Sequence, residues 1–318
     1  MSERRKNKMA ENTIYEQRTA PWSGIGSDIR GAKNVTEALQ MSGLDWDIFQ
    51  RPVATQGFNQ IPVDGFKVNL RSTDHKPLGI VTDRYKPVSN REAFSFVDDL
   101  VDGGITFERA GQFQGGRRVW ILARLTDRYI INGEAIAPYI VFISSHDGST
   151  SIRVANTPIR IVCSNQLNLA LRKAQRTFSV THTGDPVEKL NEAKATLLYS
   201  HQYMNELGKE IEGLSKIRLS DAQVFSMVDK LLPVEEDMTE IQKKGIGRKR
   251  ADLLERYMHA PDLESLPKNG YRFINAVSDH AMHADPLKKN DNYRENLFSK
   301  SIDGTPLLDK AYDLVQAA

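Results

Sequence analysis

The chain has 318 residues, a formal net charge of +2, 40% apolar and 26% charged residues, and one cysteine. No apolar run approaches the roughly 18 residues that a membrane span needs, and a lone cysteine excludes an internal disulfide framework. A chain this long is expected to divide into two lobes, since single cores stop growing below about 250–300 residues.

The first 33 residues read as a polar arm. Its start, MSERRKNKMAENTIYEQ, lacks the apolar core of a signal peptide, which predicts a cytoplasmic protein. Within the arm, PWSGIG (Pro21 to Gly26) places two glycines after a tryptophan, a turn that pins an aromatic anchor. The helix NVTEALQMSG ends at Gly43, and the strands WDIFQRPVA, GFKVNLRS and PLGIVTDRYKPVS follow, the last two separated by the turn TDHK. NREAFSFVDDLVDGG predicts one helix with Asn90 as N-cap and Gly103 as C-cap. ITFERAGQF and RRVWILARL flank Gln114–Gly116, a hairpin pattern. The strands YIVFISSHD, SIRVA and PIRIVC come next, and the spacing of Leu167, Ala170, Leu171 and Ala174 predicts a closing helix. Strands, helix, strands, helix predict an α+β domain over residues 34–184 with an antiparallel sheet.

At Asp185 the pattern changes. TGDPVEKL is a helix start, with Asp185 as cap, Pro186 at the first position and Glu188 completing a capping box. Leu190/Ala193, Leu197/Ser200, Met204/Leu207 and Ile211/Leu214 then keep a seven-residue spacing, predicting a long helix whose apolar stripe seeks a partner helix or another subunit. A second helix starts at Ser220, and IQKKGIGRKRADLLERYMH, YRFINAVSDHAMH and TPLLDKAYDLV are helical in spacing. Residues 185–318 are therefore expected to form a helical, oligomer-forming or partner-binding domain.

Charge is distributed unevenly. Between Gly148 and Gly184 there is no Asp or Glu, while Arg153, Arg160, Arg172, Lys173 and Arg176 are basic. On a helix whose buried stripe is Leu167/Ala170/Leu171/Ala174, Asn165, Asn168, Arg172 and Arg176 fall on the opposite side, offering hydrogen bonds and charge to a phosphate backbone. Arg117 and Arg118 at the hairpin, with Trp120 beyond them, add a second basic turn; rings that stack bases beside cations that track phosphates are how single strands are held. Alternation with Val119 and Ile121 equally allows Trp120 to point into the core. KKGIGRKR (Lys243 to Arg250) lacks the spacing of a nucleotide-phosphate loop and reads as a basic patch or a solvated helix start. His280 and His283 are three apart on a helix, but two histidines do not make a metal centre. His146 ends a strand in a turn, HDG. Cys163, on an apolar strand, reads as a buried space-filler rather than a nucleophile.

Four stretches, PWSGIG, TPIRIVCSNQLNLAL, GYRFINAVSDHAMH and SIDGTPLLDKAYDLV, together resemble the phage/plasmid-like family known as domain of unknown function 932. Its N-terminal motif commonly reads Trp-His-Gly, and here Ser23 stands at the histidine's place. The resemblance implies a mobile-element setting and no assigned chemistry. The order of elements is also similar to that of phage single-strand annealing proteins, which hold single-stranded DNA in a basic groove. The expected function is binding, and annealing, of single-stranded DNA in phage or plasmid recombination, without enzyme activity, cofactor, metal or membrane, by a homo-oligomer using Arg117, Arg118, Arg153, Arg160, Asn165, Asn168, Arg172, Lys173 and Arg176. The alternatives are a structural or counter-defence protein that binds a host protein, and a metal-dependent hydrolase built around His146 or His280.

Overall fold

In the computed structural model the described residues are 18–57, 60–149, 152–171, 174–180, 186–286, 290–302 and 304–318. Antiparallel sheets make up the N-terminal half and helices the C-terminal half, an α+β fold. The strands are β1 (Ser27–Asp28), β2 (Ile48–Ala54), β3 (Pro62–Arg71), β4 (Pro77–Thr82), β5 (Ile105–Phe113), β6 (Arg118–Leu125), β7 (Tyr129–Ile131), β8 (Glu134–Ala137), β9 (Tyr139–Ser145), β10 (Ile152–Asn156), β11 (Ile159–Arg160), β12 (Asn165–Gln166) and β13 (Thr177–Val180). They form a central sheet ordered β1-β5-β6-β9-β10-β13, a small sheet β12-β11-β8-β7 and a three-stranded wing β2-β3-β4.

Both faces of the central sheet are covered, which is why β6 reads as a nearly continuous apolar run. Its odd positions, Val119, Ile121 and Ala123, pack with α1 (Val35–Ser42), α2 (Asn90–Phe94) and α3 (Val97–Asp102). Its even positions, Trp120 and Leu122, pack with Trp22, Phe113 and Phe298. Trp22 is the anchor expected of PWSGIG, its ring edge-on to Tyr139 at 4.7 Å. Helix α1 begins at Asn34, whose side chain accepts from the Glu37 amide, and ends at Gly43 with φ of 67°. The single helix expected over residues 90–103 is two short ones. Ser89, not Asn90, caps the first, because the Asn90 amide is buried, donating to the Leu44 carbonyl and meeting His146 Nε2 at 2.7 Å.

Helix α4 (Pro186–Lys216) runs for 31 residues; Asp185, its expected cap, lies outside the described residues. Then come α5 (Asp221–Leu231), α6 (Glu240–His259), α7 (Gly270–His283), α8 (Tyr293–Ile302) and α9 (Pro306–Gln316). Capping boxes Ser220/Gln223 and Thr239/Gln242 start α5 and α6. The α4 stripe is covered within the chain: Met204, Leu207, Ile211 and Leu214 share a core with α5, α7 and α9 and with Ile131, Ile136, Leu167 and Leu169 from the strand half. The stripe therefore does not itself call for another subunit. No described helix is long and apolar enough to cross a membrane.

The helix expected after Cys163 does not form. β11 stops at Arg160, Ile161 and Val162 are exposed in a turn that Ser164 closes at φ of 58°, and the chain runs extended through β12 to Leu169. Leu167 and Leu169 are both buried, the two-residue period of extended chain rather than the helical one.

The close approach of the arm to the sheet depends on two glycines. A Cβ on Gly111 would lie 2.5 Å from the Trp120 ring, and one on Gly26 would lie 2.4 Å from the Ala110 carbonyl. Overpacking of this kind costs about 1–3 kcal/mol. Gly111→Ala is therefore expected to lower the free energy of unfolding measured in urea by that amount; an unchanged value would show that Trp120 can move aside.

Candidate functional site

Arg160 is the centre of the strand–helix corner, and it is fully buried. Its guanidinium grips Glu134 of β8 through both carboxylate oxygens, with Nε to Oε2 at 2.7 Å, and bonds the Asp262 carboxylate and carbonyl. Asp262 also takes Arg18, whose other nitrogen donates to Asp279 Oδ2 at 2.7 Å. Asp279 takes Arg256 at 2.8 Å, and Arg256 holds Asp252 at 2.8 and 3.1 Å. Asp252 ends the series on His280 Nδ1 at 2.6 Å, and Tyr271 donates to Glu134 at its start. Carboxylates and guanidiniums thus alternate from the small sheet to α7. The neighbouring guanidinium and imidazole hold the Asp252 carboxyl at about 2 despite burial, and Arg18 and Arg160 hold Asp262 low.

This arrangement corrects the expected phosphate-contacting surface. Arg160 is neutralised by Glu134 and by Asp262 from the helical half. Asn165 and Asn168 are buried, their amides donating to the carbonyls of Asn275 and Ser301. Arg176 bonds the Asn168 carbonyl at 2.7 Å and pairs with Asp309 of α9 at 3.1 Å. These four face the helices because the segment is extended and α7 to α9 close over it. Arg153 is half-buried on β10, opposite Ile143 and Ser179. Arg172 and Lys173 lie outside the described residues. Arg117 is exposed, and Arg118 is half-buried, reaching Ser299 Oγ at 3.4 Å.

Cys163 is the space-filler expected, its thiol pushed up to about 12 by burial. His146 is structural: fully buried, edge-on to Trp46 at 5.1 Å and bonded to Asn90. Among the described residues no three His, Cys, Asp or Glu side chains are grouped to hold a metal.

The accessible cationic site lies at the other end of the series. A cleft of about 880 Å³ opens where α6, the end of α7, α8 and Thr19–Pro21 of the arm meet. On α6 its wall is Gly245, Arg248, Lys249, Asp252 and Arg256, which is the i, i+3, i+4, i+7 face of a helix. KKGIGRKR is thus neither a loop nor a helix start but the second and third turns of α6. Lys243 and Arg250 pair with Glu240 and Asp229. Arg248 and Lys249 are exposed and, among the described residues, meet no carboxylate. Across the cleft stand His280, His283 and Arg294, the last tied to the Ser23 carbonyl at 2.8 Å, with Asp285 and Asp291 beside them. His280 has its Nδ1 committed to Asp252. PWSGIG, KKGIGRKR and DHAMHAD, scattered over 260 residues of sequence, therefore converge on one cleft.

Removing one member of a buried ion pair strands its partner, at about 3–5 kcal/mol. Arg160→Met is expected to destabilise by that much in urea unfolding. A surface arginine serving only a ligand would change stability by within about 0.5 kcal/mol.

Burial lowers the His146 imidazole from 6.5 to about 4. Because its folded value lies below its unfolded one, the stability it contributes is complete above about pH 6.5 and is lost as pH falls toward about 4. The loss is about 3 kcal/mol. His283, lowered to about 4 by burial, acts in the same window. Urea midpoints measured between pH 7 and 4 are expected to fall less steeply for His146→Gln than for the wild type, and equal slopes would refute the assignment.

The chain matches the family described as "Domain of unknown function (DUF932)" over residues 77–301, more than two thirds of its length. No curated protein and no solved structure matches it. The matched span holds Glu134, Arg160, Asp252, Arg256, Asp262, Asp279 and His280, and so most of the buried ionic series and the α6–α8 wall of the cleft. The chain belongs to the DUF932 family.

Proposed function

We propose that the protein binds single-stranded nucleic acid, DNA in the first instance, and that it does so in the cleft between α6, α7 and α8. The observation that carries this reading is the face of α6 on which Arg248 and Lys249 stand exposed over an 880 Å³ cleft, with Arg294 and the His280 imidazole opposite. Arg256, in the wall, is spent on Asp252 and Asp279. Arg248, Lys249 and Arg294 then outnumber Asp285 and Asp291, and they supply the point charges that follow a phosphate backbone. Arg117 and Arg118, on the hairpin between β5 and β6, are free of the buried series and remain candidates for further phosphates. Asn165, Asn168 and Arg160 are withdrawn from this role because no ligand reaches them. Annealing of complementary strands in phage or plasmid recombination, in the cytoplasm and without a cofactor, is the biological form of the same reading.

A cleft holding about three phosphates gives a logarithmic salt slope near −2 for single strands. Fluorescence anisotropy with a labelled oligothymidylate from about 50 to about 200 mM salt is expected to show that slope. Arg248→Ala/Lys249→Ala is expected to weaken binding about tenfold or more and to flatten the slope by about 1.4. Absence of binding at low salt, or a double variant that binds as the wild type does, would refute the assignment.

A further inference from the structure

The wing inverts the usual pattern of a one-sided sheet, in which apolar residues face inward and polar ones outward. Cross-strand registers fix its two faces. Phe49 lies opposite Leu70, Arg51 opposite Val68, Val68 opposite Ile80, and Phe66 opposite Thr82. Residues paired in this way project on the same side, so Phe49, Arg51, Phe66, Val68, Leu70 and Ile80 share one face. Phe66 and Ile80 on it are 46% and 63% exposed, and Ile61 and Val63 nearby are 61% and 38% exposed. The opposite face is the anchored one. Asn69 is buried and donates to the His146 carbonyl at 2.7 Å, Gln50 donates to Asn69 at 3.0 Å, and a Cβ on Gly79 would lie 2.5 Å from the Asp147 backbone. These contacts lock the register, because a slip by one residue would turn Asn69 and Gln50 outward. The sheet is therefore held with its apolar side to solvent.

We infer that this face is the surface through which two copies of the chain associate. Charge selects that occupant. Residues 47–84 carry five cations and four carboxylates, close to neutral, so a polyanion gains little there. Arg51 lies over the Phe49 ring at 5.2 Å on β2, one edge strand of the wing. Asp64 and Asp83 flank its Phe66–Thr82 end, where the Asp83 amide bonds the Gly65 carbonyl. An isologous two-fold contact sets each patch against itself, bringing Arg51 of one wing toward the Asp64–Asp83 end of the other. The exposed apolar area is of the order of a few hundred Å², about half of what one partner contributes to a standard interface. That predicts a dimer of micromolar rather than nanomolar strength. This inference is independent of the cleft.

Sedimentation velocity on the full chain from about 1 to about 100 μM tests it, across the range in which a micromolar dimer forms. The wild type is expected to move from monomer to dimer. Ile80→Asp and Phe66→Ser, both at exposed positions, are expected to remain monomeric with unchanged circular dichroism and melting temperature. Arg51→Asp is expected to weaken the dimer, and Arg51→Asp/Asp64→Arg to restore it. A wild type that stays monomeric at about 100 μM overturns the inference, whether or not another protein occupies the wing. A dimer unaffected by Ile80→Asp and Phe66→Ser also overturns it, by placing the contact elsewhere.

Discussion

The fold depends on one buried series of ion pairs. Glu134, Arg160, Asp262, Arg18, Asp279, Arg256 and Asp252 alternate in sign, Asp252 closes on His280 Nδ1, and each guanidinium is shared between two carboxylates. The members come from the small sheet, the arm, the loop after α6, α6 itself and α7. None of these elements can leave without stranding a charge in a medium where desolvation costs several kcal/mol per ion. Apolar packing would hold the same elements together without specifying their order. Bidentate arginine geometry, by contrast, sets which carboxylate meets which guanidinium. The series therefore acts as a register between the strand half and the helical half, adding directional constraint to an apolar core that crosses the same boundary.

That register also explains the extended path after Cys163. With Arg160 drawn inward to Glu134 and Asp262, the backbone must turn at Ile161–Ser164 and run antiparallel to β11, which pairs Asn165 with Arg160 and Gln166 with Ile159. The side-chain amides of Asn165, Gln166 and Asn168 then donate to the Asn275 carbonyl of α7, the Thr157 hydroxyl and the Ser301 carbonyl of α8, and the Gln166 backbone amide meets the Met282 thioether. The side-chain nitrogens at this seam find partners, while the amide oxygens of Asn165, Gln166 and Asn168 are buried without one.

Elements with local causes were legible in the sequence. The Gly43 end of α1, the Ser220 start of α5, the turn of the β5–β6 hairpin and the long α4 all follow from residues within a few positions of one another. The Trp22 anchor was legible too, since Gly24 and Gly26 announce a turn beside it. What failed were inferences about partners distant in sequence. The acid-free stretch between Gly148 and Gly184 looks like an exposed cationic surface only while Glu134, Asp262 and Asp309 are out of view; they lie 26 and 102 residues from Arg160, and 133 from Arg176. The hairpin β7–β8, which delivers Glu134, turns at Asn132–Gly133, both at positive φ, so its turn is a local signal while its ion-pair partner is not. The alternation of Leu167 and Leu169 was the available sign that the helical reading was wrong, and helical spacing over a longer window outweighed it.

The cleft was legible only in pieces, and electrostatics explains why the pieces belong together. The series contains four carboxylates and three guanidiniums before His280 is counted, so the arginines behind the wall have no positive charge to spare. Anything anionic entering the cleft must be met by groups outside the series, and those are Arg248 and Lys249 on the solvent side of α6 and Arg294 on α8. A sequence reader who counts arginines cannot separate the two classes, because Arg256 and Arg248 lie two turns apart on one helix face. The difference is depth: Arg256 is almost wholly buried against Asp279, while Arg248 stands at the rim. Burial assigns the first to the fold and leaves the second for a ligand.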